Sequence, residues 1–550
     1  MDAGQGGRRA WMRAQARRGG LRARLWALAL VIGLAAGLAT LLFRLGIAWL
    51  QALVYGTDDP AHIHSFAAGL DWYWLLAIPI CGGLVVGLLV DRLTEDGRVR
   101  SVADVIEAAA LHDGRVQRRR GLVSALASLI TLSTGGSTGR EGPVVHLAAV
   151  MASYVNSWTR ASGIEGRELL GCAVAAAVSA SFNAPIAGAL FAMEVVLRHF
   201  AVQAFAPIVI ASAAGTVAGR LVFGDITEFQ LPFQNALEFY VELPAFLILG
   251  LVCGVTGVIL MRAVFWADSL ALRLRARAPL PGWAWPTLAG ALLGAIAIPF
   301  PHIIGVGYET TSRALTGELV LWQAVIFAAV KVAATSITMA GRMGGGIFSP
   351  SLMLGALTGL AFGIVATHLA PELSGGTGLY ALAGMGAVAA AVLGAPISTI
   401  LIVFELTGDW QAGLAVMVSV SLSTAVSSAM VDRSFFLTQL ERRGVHLAAG
   451  PQAWLLGTFR VESVMRAMSH PRAADEAALR ELISGGTWLR EGQTLEEAMP
   501  LFETTGAPAL PVVHFASGDA PPELRGALFH VDALRTLNRA LSRRAAEAHS

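Results

Sequence analysis

The sequence predicts an all-α polytopic membrane protein built on an inverted repeat of short helices, with a small α/β domain at its C-terminal end. Three observations carry that expectation. Of 550 residues, 55% are hydrophobic and only 14% are Asp, Glu, Lys or Arg, against roughly 25% charged in a soluble protein. Mean hydropathy is +0.62, spread over many separate apolar runs. The chain also repeats itself. Ala173-Val-Ala-Ala-Ala-Val178 returns as Ala387-Val-Ala-Ala-Ala-Val392, each followed by Ala-Pro-Ile at 184–186 and 395–397, and then by a glutamate, Glu194 and Glu405. Alanine–valine strings arise easily in such a composition. The ordered set of matches, at offsets of 207 to 214 residues, is what indicates a duplicated domain, for which inversion is the common solution in membranes. Collagen, disulfide scaffolds and disordered chains are excluded, and a formal net charge of +2 offers a nucleic acid nothing.

The elements follow in order. Residues 1–24 hold seven arginines and one acid, Asp2, ahead of the apolar run Leu25–Leu50; by the positive-inside rule that end is cytoplasmic. The run outlasts the apolar region of a secretory signal and no polar cleavage segment follows, so it reads as a membrane helix. A second span at about Trp72–Val90 returns the chain to a second basic loop, Arg115 and Arg118 to Arg120. Further apolar stretches lie near 121–132, 144–157, 169–197, 204–222, 242–266, 283–300, 319–339, 351–370, 378–407 and 411–431. Several are too short to cross about 30 Å, and several are broken by Gly and Pro. Such segments are tolerated in a bilayer only where they face protein or a watery cavity. After Val431 charges become frequent, and Ser463–Leu541 alternates amphipathic helix with strand patterns such as Leu510–Val513 and Gly526–Phe529. That appendage is expected in the cytoplasm, on the side of the N-terminus. Cys81, Cys172 and Cys253 fall inside apolar runs and read as small packing residues, neither a disulfide set nor a metal cluster.

Chemistry is concentrated in two glycine-rich loops. Gly135-Gly-Ser-Thr-Gly-Arg-Glu-Gly-Pro143 leads into Val144–Val150, and Gly344-Gly-Gly-Ile-Phe-Ser-Pro350 leads into Leu352–Leu360. Glycines let the backbone turn within the membrane, proline suits a first helical turn, and the free N–H groups of that turn attract an anion. Two such ends, one from each half, would make one dehydrated anion site. Several donors are needed. Moving a small ion into low dielectric costs on the order of 20 kcal/mol in the idealised limit, whereas a helix dipole returns about 0.3–1, or about 2 when partly buried. Full cationic pairing would hold the ion too tightly to conduct. Glu141 is the acid in the first loop, and an ionisable residue at membrane depth is a functional hypothesis by default. Its carboxylate would occupy the anion site when ionised and swing away when protonated, making it gate and proton acceptor; the competing reading is a surface carboxylate paired with Arg140.

At these residues the chain resembles the CLC family of chloride channels and chloride/proton antiporters. GREGP at 139–143, GIFSP at 346–350, NAPIAG at 183–188 and GAPISTILIVFELTGD at 394–409 are similar to its signature segments, and Lys331 and Gly305-Val-Gly-Tyr308 fall where similar segments stand. The likeness is collinear over about 25–445. It implies a CLC-type transmembrane domain with repeats at about 25–230 and 235–432, a homodimer in the lipid bilayer with one pore per subunit, and transport of chloride and similar monovalent anions. Glu141 becomes the external gating glutamate, flanked by Gly139, Arg140 and Gly142, and the backbone N–H groups of Ile347 and Phe348 bind the central anion. No cofactor and no metal are implied. Arginine in place of lysine, with Lys331 alone, points to a GC-rich bacterial genome and so to the inner membrane.

Three departures bear on mechanism. Where the family has a Gly-Ser-Gly-Ile-Pro-like loop, this chain has Val99-Arg-Ser-Val-Ala103. Arg100 stands in place of the anion-binding serine; Ser101 takes over by a one-residue shift, or Arg100 collects anions at the cytoplasmic mouth, or it is merely solvated. The inner pore tyrosine is Phe436, and the antiporters' inner proton-transfer glutamate is Val195. Valine cannot relay a proton, and with the tyrosine hydroxyl also lost, weakly coupled or uncoupled, channel-like conduction gated by Glu141 is favoured over chloride/proton antiport. A polytopic enzyme or sensor would need a polar cluster at membrane depth, and His62, His64, His146, His199 and His302 are scattered. The tail at 446–550 resembles a cystathionine-β-synthase-type (CBS) domain, with one unit at about 487–541 and a truncated first unit beginning at Val461–Met465. Such units bind adenine nucleotides through a Ser or Thr three residues before an Asp; here Phe529 precedes Asp532. That argues against nucleotide sensing and leaves a dimerisation or gating module, or a decayed domain.

Overall fold

A computed structural model describes residues 3–57, 62–161, 163–224, 239–374, 376–447, 453–515 and 523–548. Arg8 to Arg22 and the expected junction near 230–235 lie outside the residues whose side chains are described. The first half comprises α1 (Ala3–Tyr55), α2 (Ile63–Ala68), α3 (Trp72–Leu93), α4 (Val102–Leu111), α5 (Arg118–Ser133), α6 (Glu141–Thr159), α7 (Gly163–Phe182), α8 (Pro185–Phe191) and α9 (Val202–Phe223). The second comprises α10 (Phe239–Arg277), α11 (Ala284–Ala297), α12 (Tyr308–Leu315), α13 (Leu321–Ala340), α14 (Phe348–Leu369), α15 (Thr377–Leu393), α16 (Pro396–Thr407), α17 (Trp410–Met430) and α18 (Phe435–Glu441). Among the described residues seven helices are long and apolar enough to cross a membrane, while segments such as α11, α15 and α16 are shorter.

The duplicated strings explain the centre of the fold. Both alanine–valine copies lie on helices that are buried on every side, α7 from Leu169 to Phe182 and α15 from Gly378 to Leu393. A helix apolar all round belongs inside a bundle, and small side chains let its neighbours approach. Around it α1 packs on α7 and α9 as α10 packs on α15 and α17. Between α14 and α15 the approach is so close that a Cβ on Gly359 would fall 2.1 Å from the Tyr380 carbonyl oxygen, the small-residue contact that membrane helices use. Outward faces carry Trp49, Leu53 and Trp266, all about two-thirds exposed, where lipid would cover them.

The two repeat glutamates stitch the halves together. The Glu194 carboxylate accepts the Ile397 and Ser398 N–H groups at 3.0 and 2.8 Å and the Ser398 hydroxyl. Glu405 accepts the Ile186 and Ala187 N–H groups at 2.9 and 2.7 Å. Each acid thus caps the Pro-initiated helix of the opposite repeat, α16 or α8, satisfying N–H groups that have no partner inside the helix and meeting the positive end of its dipole.

The tail forms a four-stranded sheet from β1 (Arg466–Ala467), β2 (Leu489–Arg490), β3 (Ala509–His514) and β4 (Glu523–Phe529), in the order β1-β4-β3-β2. Strands β2 and β3 run parallel and the other pairs antiparallel. Helices α19 (Glu476–Ser484), α20 (Leu495–Thr505) and α21 (His530–Ala548) complete it. Val461 joins one core with Leu489, Phe502, Leu510 and Leu528. This body is tied to the membrane domain by polar contacts. The Arg167 Nη2 donates to the Ala110 and Gly457 carbonyls, both at 2.6 Å, Arg198 pairs with the buried Glu496 at 3.5 Å, and Arg460 reaches Asp113 at 3.4 Å.

Helices α6 and α14 begin at Glu141 and Phe348, which places Pro143 and Pro350 in the first turn, where a missing N–H leaves no bond unmade. One local expectation is corrected. Cys172 and Cys253 are buried as expected, but Cys81 lies on the exposed face of α3.

Candidate functional site

The two glycine loops meet. Gly139 and Gly346 form a reciprocal antiparallel bridge, each N–H donating to the other's carbonyl at 2.7 and 2.8 Å, and the Thr138 hydroxyl adds a bond to the Gly346 carbonyl at 2.9 Å. Gly345 has φ +113° and Gly344 has φ +94°, a region open essentially to glycine. A Cβ on Gly142 would lie 3.0 Å from the Gly346 Cα. The starts of α6 and α14 are thereby brought side by side.

Glu141 sits where they converge and is 1% exposed. Its Oε2 accepts the Ser349 hydroxyl at 2.6 Å and its Oε1 the Tyr308 hydroxyl at 2.8 Å. The Arg140 guanidinium is 3.9 Å from Oε1, lies 4.8 Å over the Tyr308 ring and donates to the Ser181 carbonyl at 3.2 Å. A Cβ on Gly139 would meet Glu141 Oε2 at 2.8 Å and the Ser349 nitrogen at 3.0 Å, so the carboxylate occupies the space directly before the first turn of α14. Ile347 is the residue preceding that turn and Phe348 its first, with the Phe348 ring packed on Phe182 and Phe191 at 4.9 and 5.7 Å. Lys331, 1% exposed, donates to the Gly305 carbonyl at 3.3 Å behind Tyr308.

The expected inner residues are placed differently from one another. Arg100 is held by carboxylates, with Asp96 at 2.5 Å and Asp104 at 3.0 Å. Asp104 also takes Arg98 at 3.1 Å and Arg443 at 3.3 Å. The Ser101 N–H, at the start of α4, donates to Asp104 Oδ2 at 2.9 Å. Among the described residues neither Arg100 nor Ser101 bonds to the glycine loops; the Asp104 carboxylate of α4 engages both. Phe436 is buried beside Phe435, ring centroids 5.9 Å apart. Val195 lines a cavity of about 530 Å³ together with Glu194, Arg198, His199, Leu393 and Ser434. In the tail Asp532 is engaged by Arg466 at 2.6 Å.

Sequence reasoning missed the two hydroxyls on Glu141. Repeat register offered a signal for Ser349, since Phe-Ser-Pro at 348–350 superposes on Glu-Gly-Pro at 141–143. For Tyr308, 167 residues from Glu141, no local pattern exists. The histidines read as scattered are not all so: His64 and His302 come within 6.2 Å of each other, and His302 stacks on Phe327 at 3.8 Å. Among the described residues no group of three or more His, Cys, Asp or Glu is placed to hold a metal ion.

Residues 82–428 match the family model described as voltage gated chloride channel. A putative chloride channel protein ClcB-like from Ralstonia nicotianae is 33% identical over 398 residues, covering 72% of this chain and 91% of the relative. A voltage-gated ClC-type chloride channel ClcB from Escherichia coli is 27% identical over 416 residues, covering 74% and 97%. Among solved structures, a slow cyanobacterial Cl-/H+ antiporter superposes with TM-score 0.67 at 22% identity over 76% of this chain and 98% of that one. A eukaryotic CLC transporter does so with TM-score 0.66 at 17% identity over 92% and 98%.

Proposed function

The chain belongs to the voltage-gated chloride channel family, and from that premise we propose that it is a chloride pathway gated by Glu141 and not coupled to protons. The observation that carries the gate is the seat of the Glu141 carboxylate. The buried carboxyl group, held by the Ser349 hydroxyl at the start of α14 and the Tyr308 hydroxyl at the start of α12, fills a place whose donors suit a halide equally well. When the carboxylate is ionised it blocks; when protonated it gives up the seat, and an anion takes the N–H groups of Ile347 and Phe348, bounded by Gly139, Arg140 and Gly142. Donors of this kind bind without full cationic neutralisation, which leaves release possible.

Uncoupled transport rests on the inner side. Val195 and Phe436 offer no group that exchanges a proton, and the Glu194 carboxylate is already engaged by two backbone N–H groups and a hydroxyl. The alternative, chloride/proton antiport, keeps one observation in its favour: Glu194 itself lines the inner cavity. Two copies would associate in a bacterial inner membrane, each with its own pathway, and both termini would lie in the cytoplasm. Reversal potential under opposed chloride and proton gradients decides between the readings. It should follow chloride alone; a displacement with the proton gradient would establish antiport. Glu141→Gln should abolish the pH dependence of efflux from liposomes, and persistence of that dependence would remove Glu141 from the gate.

A further inference from the structure

A second polar cavity lies apart from the anion pathway, at the boundary of the membrane domain that faces the tail. It measures about 170 Å³ and is bounded by the C-terminal ends of α3 and α10, the start of α11 and the turn after α13. Its walls include Arg275, Arg342, Asp91, Gly97, Trp285 and Pro286. The loop carrying Gly97 runs on to Asp104, which pairs with Arg443 a few residues before the tail; that contact fixes the side on which the cavity lies.

Arg275 is only partly satisfied. Arg275 uses Nη2 to donate to the Ala340 carbonyl at 2.6 Å and lies 5.4 Å from the Trp285 ring centroid. Its Nε and Nη1 are buried and have no acceptor among the described residues. Arg342, at φ +58°, places Nη1 3.2 Å from the Gly97 carbonyl. Asp91 is the carboxylate of the lining, and it rests against Gly282, where a Cβ would fall 2.3 Å from its Oδ1. Asp268, on the same helix as Arg275, is paired with Arg442 at 3.7 Å. Cations thus outnumber anions in the lining, and buried guanidinium N–H groups without acceptors are costly.

We propose that Arg275 and Arg342 bind a phosphate group, whose source is an anionic lipid headgroup or free phosphate. The volume has room for about five waters, more than one halide needs and enough for a tetrahedral oxyanion. Guanidinium forks match phosphate oxygens in pairs. Trp283, 36% exposed, and the arginines ending α10 also give the neighbourhood the aromatic and basic composition of a membrane boundary. The site does not depend on the gating role of Glu141.

The test uses the full chain in detergent, observed by native mass spectrometry with phosphatidylglycerol or phosphatidylcholine added, and by thermal unfolding with inorganic phosphate added. The wild type should retain phosphatidylglycerol in preference to phosphatidylcholine, and Arg275→Gln/Arg342→Gln should weaken retention by about tenfold or more. Chloride efflux at the wild-type rate shows that the variant is folded. Protection of the wild type, and not the variant, by inorganic phosphate without any lipid preference would identify free phosphate as the source. Equal responses of wild type and variant to both probes overturn the proposal. If the double variant does not fold, Arg342→Gln alone carries the test, and wild-type retention in it has the same overturning force.

Discussion

Replacing Ser349 by alanine removes one of the two hydroxyls on the Glu141 carboxylate, and replacing Tyr308 by phenylalanine removes the other. Ser349 Oγ is 2.6 Å from Oε2 and Tyr308 Oη 2.8 Å from Oε1, with Glu141 and Ser349 at 1% and 2% exposure. A hydrogen bond to a charged group contributes about 1.5–3 kcal/mol, and short bonds to a carboxylate are at the strong end. Every 1.4 kcal/mol is about tenfold in an equilibrium. Loss of either hydroxyl should therefore shift the balance from seated to displaced carboxylate by about tenfold or more. Chloride efflux from liposomes at neutral pH, with potassium shunted by an ionophore, should rise accordingly up to the ceiling set by Glu141→Ala. The two effects should not add, because both hydroxyls act on one carboxylate. In a Glu141→Ala background neither substitution should raise efflux. Unchanged or slower efflux in Ser349→Ala and Tyr308→Phe, or an equal rise without the glutamate, would refute the latch.

Other expectations concern the frame around the site. Glu194→Gln and Glu405→Gln each weaken a cross-repeat cap and should destabilise the chain by about 1 kcal/mol apiece, the usual worth of a helix cap, as a lower unfolding midpoint in detergent; a difference of several-fold between the two would break their equivalence. Glu496→Gln leaves Arg198 facing a neutral partner in a buried setting, where breaking a pair costs about 3–5 kcal/mol, and should expose 453–460 to limited proteolysis while efflux persists; unchanged cleavage there would show that the pair does not hold the tail. Stability should also fall as pH rises. The Glu107 carboxylate, 3.7 Å from His112 Nε2, holds its imidazole above the ordinary 6.5, so that contribution is complete below 6.5 and lost as pH rises through the raised value. Burial holds Glu497 above 4.5, so its ionisation opposes folding in the same direction. Thermal midpoints of His112→Asn against pH should lose the upper part of this slope, and an unchanged profile would count against it.

Much of the membrane architecture was legible because it rests on composition and repetition. The alanine–valine strings marked α7 and α15, and the glycine loops marked the starts of α6 and α14, since only a few residue types permit those backbones. The acids at 194 and 405 were visible as a pair, but their targets were not, because each caps a helix from the other repeat. The Glu141 seat was half legible. The glutamate and its loop were local, whereas Tyr308 reached it through tertiary folding. Arg100 shows the converse. Its position in the expected anion loop was plain, whereas its engagement by the Asp96 and Asp104 carboxylates depends on how the loop folds back on the start of α4.

The reciprocal bridge between Gly139 and Gly346 also sets a schedule for biosynthesis. Neither glycine can satisfy its N–H and carbonyl in this way until the other has been made, and about two hundred residues separate them. At roughly 5–20 residues per second, a ribosome spends about ten to forty seconds between the two loops. During that interval the first loop must wait at membrane depth, or at its edge, without its partner strand. The site is therefore a late product of assembly, completed only after α13 has entered the membrane, and a nascent chain stalled in the second repeat would hold an unfinished loop for quality-control proteases to recognise.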